Sequence, residues 1–394
     1  MSVTSAVLRN RDTVEESWNW RVLRRAIHAA GRTNTAEFLE QLKSFFRAPR
    51  AMLPTVSGTA ALQMFLANTR AAAGGAKRKV LICSFNCPTV CDAVTAAGLE
   101  PETFDFADRS GRIDWESIGR TLQDEHHAVV IPHLFGVPTD FRPLLEYAER
   151  RGVLTIEDCA HAIGASIGGV PAGSVGDAAI LSFSYDKPIS LGGGGVLLLN
   201  NEKLSAHFAA SDASPATAAD ERYELKLFVA WLRERRSSIA QLDFVSRVRR
   251  RLSGPGVSSK GLIPASGIGP VRAALGLWQL QHYPRVRAVR NRNAAYFSDI
   301  PGWRMWHVDP DVAPAWLRQK LIPSASLDVA AISIGLHKLG LRVGPFNWPQ
   351  TLDHHLSRSE RPHASYVASF GLDVPVHQTM HQRQLRVIRD VLSA

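Results

Sequence analysis

A doubly wound α/β fold, with a mainly parallel central sheet and a second, smaller domain, is what this 394-residue sequence predicts. Two observations predict it. Short apolar runs of strand length alternate with helical patterns through the first half of the chain, as successive β–α–β units around a parallel sheet require. Residues that carry chemistry then stand where two of those runs stop: Asp158 after the run 153–156, and Lys187 just beyond the run 178–184. Such positions lie at the carboxyl edge of a parallel sheet, where α/β proteins bind ligands. With 45% hydrophobic residues the chain can bury a large core, most naturally in two domains of unequal size.

Taken in order, residues 18–46 are helical in pattern and precede the sheet as an N-terminal arm. Strands are expected over 79–84, 102–106, 128–132, 153–157, 178–184 and 195–200, with helices such as 88–97 and 141–151 between them. The stretch 209–220, rich in Ala, Ser, Asp and Thr, reads as a mobile loop, and 224–252 is helical with apolar residues at turn spacing. Residues 253–270, rich in Gly, Ser and Pro, read as the crossing into the small domain. One long helix is expected over 271–297, then short strands and helices, and a final amphipathic helix over 378–392. The organisation is therefore an arm over 1–45, a large domain over 46–252 and a small C-terminal α/β domain over 253–394. No internal repeat is visible.

Asp158 faces the crevice beyond its strand, and Lys187 lies just past another, against the glycine run 192–195, where backbone or ligand can approach closely. A lysine that condenses with an aldehyde must be neutral for part of the time, and a carboxylate against a pyridine nitrogen keeps that ring protonated as an electron sink. One acid and one amine on separate strands thus suit pyridoxal phosphate; on spacing alone a surface salt bridge is the competing reading. Ser57-Gly58-Thr59-Ala60-Ala61-Leu62 adds hydroxyl and small residues directly before an apolar-periodic helix. Free N–H groups and the positive end of the helix dipole there suit a phosphate dianion, an ordinary N-cap being the alternative.

These stretches, together with His133-Leu134-Phe135-Gly136, Glu157-Asp158-Cys159-Ala160-His161-Ala162, Gly173-Ser174-Val175-Gly176-Asp177, Ala273-Ala274-Leu275-Gly276 and Asp373-Val374-Pro375, resemble the DegT/DnrJ/EryC1/StrS family of fold type I sugar aminotransferases. The resemblance runs from about residue 30 to the end. It implies Lys187 as the Schiff-base lysine and proton shuttle, Asp158 against the pyridine nitrogen and His161 near the ring hydroxyl, where many relatives have Gln. Ser182, with Gly58 and Thr59, would hold the phosphate. It also implies transfer of an amino group from glutamate or glutamine, through pyridoxamine phosphate, to a nucleotide-linked keto sugar or a cyclitol ketone, in a homodimer with its site at the subunit boundary. In dehydratase relatives a His replaces the lysine; Lys187 is retained, while dehydration or other chemistry at Cα stays open as an alternative. Three positions depart from the family. An Asn-Tyr-Arg that reaches the partner's cofactor phosphate is matched by Ala265, Ser266 and Gly267. A Pro-Ser-Phe-Thr-like turn bearing the ring-stacking aromatic is matched by Cys83 to Pro88, which leaves Phe85 as a stacking candidate, and Pro188 follows the lysine where Asn is frequent.

A net charge of +10 favours an anionic partner: a nucleotide sugar, nucleic acid or an acidic carrier. The cluster Arg247, Arg249, Arg250 and Arg251 lacks interleaved aromatics, so a solvated helix end is preferred to a nucleic-acid surface; a non-catalytic sensor or anion binder is the other class held open. Cys83, Cys87, Cys91 and Cys159 sit in apolar stretches, match no common metal pattern and read as small buried hydrophobes, consistent with a reducing cytoplasm. No signal-like start and no bilayer-length apolar run is present. His133, at a strand end, reads either as approaching substrate or as packing of the crossover, and His377 as structural; Asn347 and Trp348 lie in a loop where a sugar or acid could stack and hydrogen-bond, a core anchor being the alternative for Trp348, and carry no catalytic assignment.

Overall fold

A computed structural model of the protein describes residues 20–30, 35–184, 186–208, 268–324, 327–341, 343–344 and 348–394. The expected loop at 209–220, helix at 224–252 with its arginine cluster, crossing at 253–267 with Ala265, Ser266 and Gly267, and Asn347 lie outside the described residues. Two helices, α1 (Trp20–Ala29) and α2 (Thr35–Lys43), meet the helical reading of the arm. The large domain then runs β1 (Ala51–Thr55), α3 (Gly58–Ala72), β2 (Lys79–Cys83), α4 (Pro88–Ala96), β3 (Glu100–Phe104), α5 (Trp115–Thr121), β4 (His126–Pro132), α6 (Arg142–Arg151) and β5 (Leu154–Asp158). A small hairpin, β6 (Ser166–Ile167) and β7 (Val170–Pro171), precedes β8 (Ala178–Ser182), β9 (Gly195–Leu199) and the short α7 (Glu202–Ser205).

Seven strands form one sheet in the order β1-β9-β8-β5-β4-β2-β3. Strands β3, β2, β4, β5 and β8 are mutually parallel, and β9 alone runs against its neighbours β8 and β1. Alternation along each strand divides the core. In β8, Ala178 and Ile180 pack with α3 and α4, while Ala179 and Leu181 face the layer of α1, α2 and the long helix α8 (Pro270–Ala295). Helices therefore cover both faces, as the doubly wound reading requires.

Two of the differences from expectation have a common cause. β1 was not anticipated because Pro54 interrupts it, and β3 begins before Pro101 rather than at residue 102. Both are the edge strands of the sheet, where a residue without an N–H leaves no ladder bond unmade. β3 also ends at Phe104 rather than 106, level with the end of its partner β2 at Cys83; just beyond it the Asp105 carboxylate accepts the His363 and Ala364 N–H groups at 3.0 and 2.8 Å. The remainder supplies β10 (Trp303–Met305), β11 (Val312–Ala313), β12 (Arg318–Pro323), α9 (Val329–Lys338), α10 (Leu352–His355), α11 (Pro362–Phe370), β13 (Leu372–Pro375) and α12 (Gln382–Ser393). β10, β12 and β13 form a second, antiparallel sheet, and β11 pairs with β6. The last helix starts four residues later than expected, at a capping box made by His381 and Gln384.

Candidate active site

The carboxyl ends of β4, β5 and β8 assemble the site. Asp158 is the last residue of β5 and half-buried; its Oδ1 accepts the Ala160 N–H at 3.1 Å. Burial pushes its carboxyl above the usual range, against the Ala160 N–H and the charges of Lys187 and His133, which pull it down. Ser182 ends β8, on the strand face that also carries Ile180, and the N-terminus of α3 is pressed against it. A methyl group on Gly58 would lie 3.0 Å from the Ser182 Cβ and 3.2 Å from the Leu181 oxygen, so a side chain here would push the helix or β8 back by a few tenths of an ångström. Across the same junction Ser57 bridges to Gly194, and a methyl on Gly195 would stand 2.6 Å from the Gly58 nitrogen. Ser57 caps α3 by accepting the Ala60 N–H at 3.1 Å. Gly58 thus packs against Ser182, and half-buried Thr59 follows it in the first turn of α3, at the positive end of that helix.

Lys187 reaches the same edge. Its Nζ lies 3.0 Å from His161 Nε2 and donates to Asp186 Oδ2 at 3.2 Å, while Asp186 Oδ1 accepts the Ser184 hydroxyl at 2.8 Å. Burial works to raise Asp186, but the charges of Lys187, His161 and Arg318 and the Ser184 hydroxyl outweigh it and hold the carboxyl well below its ordinary value. His161 is buried, and its Nδ1 accepts the Phe135 backbone N–H at 3.2 Å. That bond assigns the neutral tautomer, because a nitrogen that accepts carries no hydrogen and Nε2 must hold it. Burial first, and the Lys187 charge second, push the imidazole well below its usual range. His161 Nε2 therefore faces Lys187 Nζ and fixes where the lysine side chain ends.

Several parts of this arrangement were not read as functional from sequence. Asp186 adjoins the lysine, and that adjacency was the available signal. Phe135 adopts φ 57° and Gly136 φ 84°, a turn that carries the Phe135 N–H to His161. Trp348 stacks on His161 with rings 5.8 Å apart and 7° from parallel, and meets Phe85 edge-on at 5.4 Å. Phe85 itself is buried in an aromatic cluster with Phe106, Phe135 and Trp306. Beside it, Asn86 has a buried side-chain nitrogen without a hydrogen-bond partner. His133, as expected, is internal: its Nε2 meets Glu157 Oε2 at 2.9 Å, and both side chains are buried. All four cysteines are unpaired; Cys83, Cys91 and Cys159 are buried, while Cys87 is half-exposed, where a buried residue was expected.

A glycine at a helix N-terminus packed on a strand-end serine, an acid at the end of the neighbouring strand and a lysine held by His161 and Asp186 are chemically suited to a phosphate, a pyridine nitrogen and an aldehyde, respectively. The fold is fold type I, that of pyridoxal phosphate-dependent aminotransferases. The model of the DegT/DnrJ/EryC1/StrS aminotransferase family matches residues 21–392, and the chain belongs to that family. It is similar to the GDP-perosamine synthase of Caulobacter vibrioides, 33% identical over 150 residues that cover 38% of this chain and 40% of that protein. It is also similar to the L-glutamine:2-deoxy-scyllo-inosose aminotransferase of Streptomyces fradiae, 29% identical over 180 residues, 44% of this chain and 42% of that one. The match thus spans about two fifths of these curated relatives. Among solved structures, the E. coli GDP-4-keto-6-deoxy-D-mannose-3-dehydratase with bound hydrated PLP superposes with a TM-score of 0.74 at 18% identity, covering 98% of this chain and 100% of that one. Among the described residues no helix is long and apolar enough to cross a membrane.

Proposed function

We propose that the protein is a pyridoxal phosphate-dependent aminotransferase that moves an amino group from an amino acid, glutamate or glutamine, to the keto group of a nucleotide-linked sugar or of a cyclitol. The observation that carries this reading is the Lys187 amine, 3.0 Å from the Nε2 of a histidine whose tautomer is assigned by a backbone N–H, at the sheet edge that also presents Asp158. When bound, the cofactor supplies an aldehyde and an electron-withdrawing ring that stabilises negative charge at the carbon being deprotonated. Gly58, Thr59 and Ser182 would hold its phosphate, and Asp158 its ring nitrogen. His161 positions the Lys187 amine; that amine would take the proton from the donor's Cα, hold it on Nζ and release it during the transfer, with the reverse sequence on the acceptor. The positive charge of the chain suits a nucleotide diphosphate on the acceptor. A cytoplasmic homodimer completes the reading.

Visible absorption and borohydride trapping, compared between wild type and Lys187→Ala, test it. A yellow wild-type protein whose cofactor becomes covalently fixed to the Lys187 peptide, with no fixation in the variant, is the expected result. Wild-type protein that stays colourless with added pyridoxal phosphate refutes the proposal.

A further inference from the structure

β12 carries two cations toward the site. Arg318 and Lys320 are two residues apart on one strand and so project from the same face. Lys320 shows which way that face looks, since its Nζ lies 5.4 Å from the Phe85 ring centre and 5.6 Å from that of Phe135. Lys320 is fully committed: it pairs with Asp373 at 3.1 Å and donates to the Gly371 oxygen at 3.1 Å, with both charged side chains buried. Arg318 is not. Its Nε is buried without a hydrogen-bond partner, and among the described residues its guanidinium makes no ion pair.

Its position relative to Lys187 follows from a short run of hydrogen bonds. Leu317, the residue before Arg318, donates its N–H to the Phe135 oxygen at 2.8 Å; Phe135 donates to His161 Nδ1 at 3.2 Å; His161 Nε2 meets Lys187 Nζ at 3.0 Å. The Arg318 charge is felt at both groups that touch the lysine, acting on His161 and on Asp186. Asp186 is not its counter-ion, being taken up by Lys187 and Ser184.

We infer that Arg318 binds the α-carboxylate of the amino donor, an inference that rests on the aminotransferase reading above. A guanidinium left without an anion at the reaction centre calls for one carried by the molecule reacting there. On an amino acid the carboxylate is bonded directly to the carbon that Lys187 deprotonates. On a nucleotide-linked keto sugar the phosphates are separated from the keto carbon by ring bonds and the anomeric oxygen, which places them further out. The cofactor phosphate has its own cradle at Gly58 and Ser182.

The test uses the holoenzyme and three readouts: the borohydride-trapped link to Lys187, calorimetric binding of 2-oxoglutarate, and the separate KM values of donor and acceptor. Arg318→Gln should keep the trapped link, weaken 2-oxoglutarate binding and raise the donor KM by about tenfold or more, and leave the acceptor KM within about twofold. It should also erase the preference for glutamine over its decarboxylated amine. Arg318→Lys, which keeps the charge but not the two-pronged geometry, should recover part of the donor affinity and guards against a folding defect. If wild type forms the link but Arg318→Gln leaves 2-oxoglutarate affinity and donor KM within about twofold, the inference is overturned alone. If wild type forms no link, the proposed function falls and takes the inference with it.

Discussion

Replacing Glu157 by Gln should cost far more than a change of one atom suggests. Glu157 is buried next to Asp158 and accepts four N–H groups: Oε2 from Gly173 at 2.7 Å and His133 Nε2 at 2.9 Å, Oε1 from Val175 and Gly176, each at 2.8 Å. His133 Nδ1 accepts the Thr139 N–H at 3.2 Å, so its hydrogen sits on Nε2 and points at the carboxylate. Whichever way a Gln amide is turned, its NH2 faces two N–H donors. Each orphaned buried donor costs about 1–3 kcal/mol, which puts Glu157→Gln at about 4 kcal/mol. Burial works to raise the Glu157 carboxyl, but His133 and the backbone N–H groups outweigh it and hold it below its usual value. Its contribution is therefore present above the ordinary glutamate range and lost as the pH falls through the lowered folded value. Urea denaturation at neutral pH measures the cost, and cofactor titration of the folded variant reads any shift of Asp158. A loss below about 1 kcal/mol would refute the four-donor account of this anion.

Three further outcomes are expected. His161→Gln, which can still direct an N–H at Lys187, should retain borohydride trapping, whereas His161→Phe should slow it by about tenfold or more; equal rates would sink the orienting role. Trp348→Ala removes the ring stacked on His161 and should raise the acceptor KM more than it lowers cofactor affinity, with Trp348→Phe recovering part of the loss; unchanged acceptor kinetics would leave Trp348 a packing residue. His127 and His377 are buried and held neutral, pushed down to about 4 by burial, Lys77 and Arg70, and to about 3 by burial, Arg290 and Arg318. Because they protonate in the unfolded chain first, stability should fall on acidification from the ordinary histidine pKa of 6.5, each adding about 1.4 kcal/mol per pH unit. Urea midpoints that stay flat on acidification from 6.5 would contradict that account.

The sequence made the interior of the sheet legible and its edges not. β8 and β9 are short, apolar and buried on both faces, so their runs announce themselves. Pro54 and Pro101 are breakers by local rules and become harmless only once β1 and β3 are known to be outermost, which is a property of the whole sheet. The site divides in the same way. Asp158 and Lys187 could be singled out because strand ends and chemically apt residue types coincide, and Gly58 because a helix start is a local pattern, whereas Ser182 and His161 were legible only through the family resemblance. The Phe135 N–H could not be read at all, since a backbone donor has no residue type and its direction depends on a left-handed turn.

What completes the site comes from far along the chain, and the structure explains how it is held. The Phe135–Gly136 turn accepts two backbone bonds from the C-terminal half: Leu317 N–H to the Phe135 oxygen and Ala315 N–H to the Gly136 oxygen, both at 2.8 Å. A side chain on Gly136 would run into the Ala315 carbonyl, so glycine is required for this docking. A second anchor stands nearby, where Asp353 accepts the Ser84 hydroxyl and, at 2.5 Å, that of Thr103, while Leu352 donates to the Ser84 oxygen at 2.8 Å. The first anchor sets Arg318, one residue beyond Leu317; the second fixes the segment just after Trp348. The amine and acid thus belong to the sheet, while the groups poised to discriminate substrates are lent by the second half of the chain through two backbone docks. Exchange of donor or acceptor preference is accordingly to be sought at Arg318 and Trp348, whose side chains take no part in either dock.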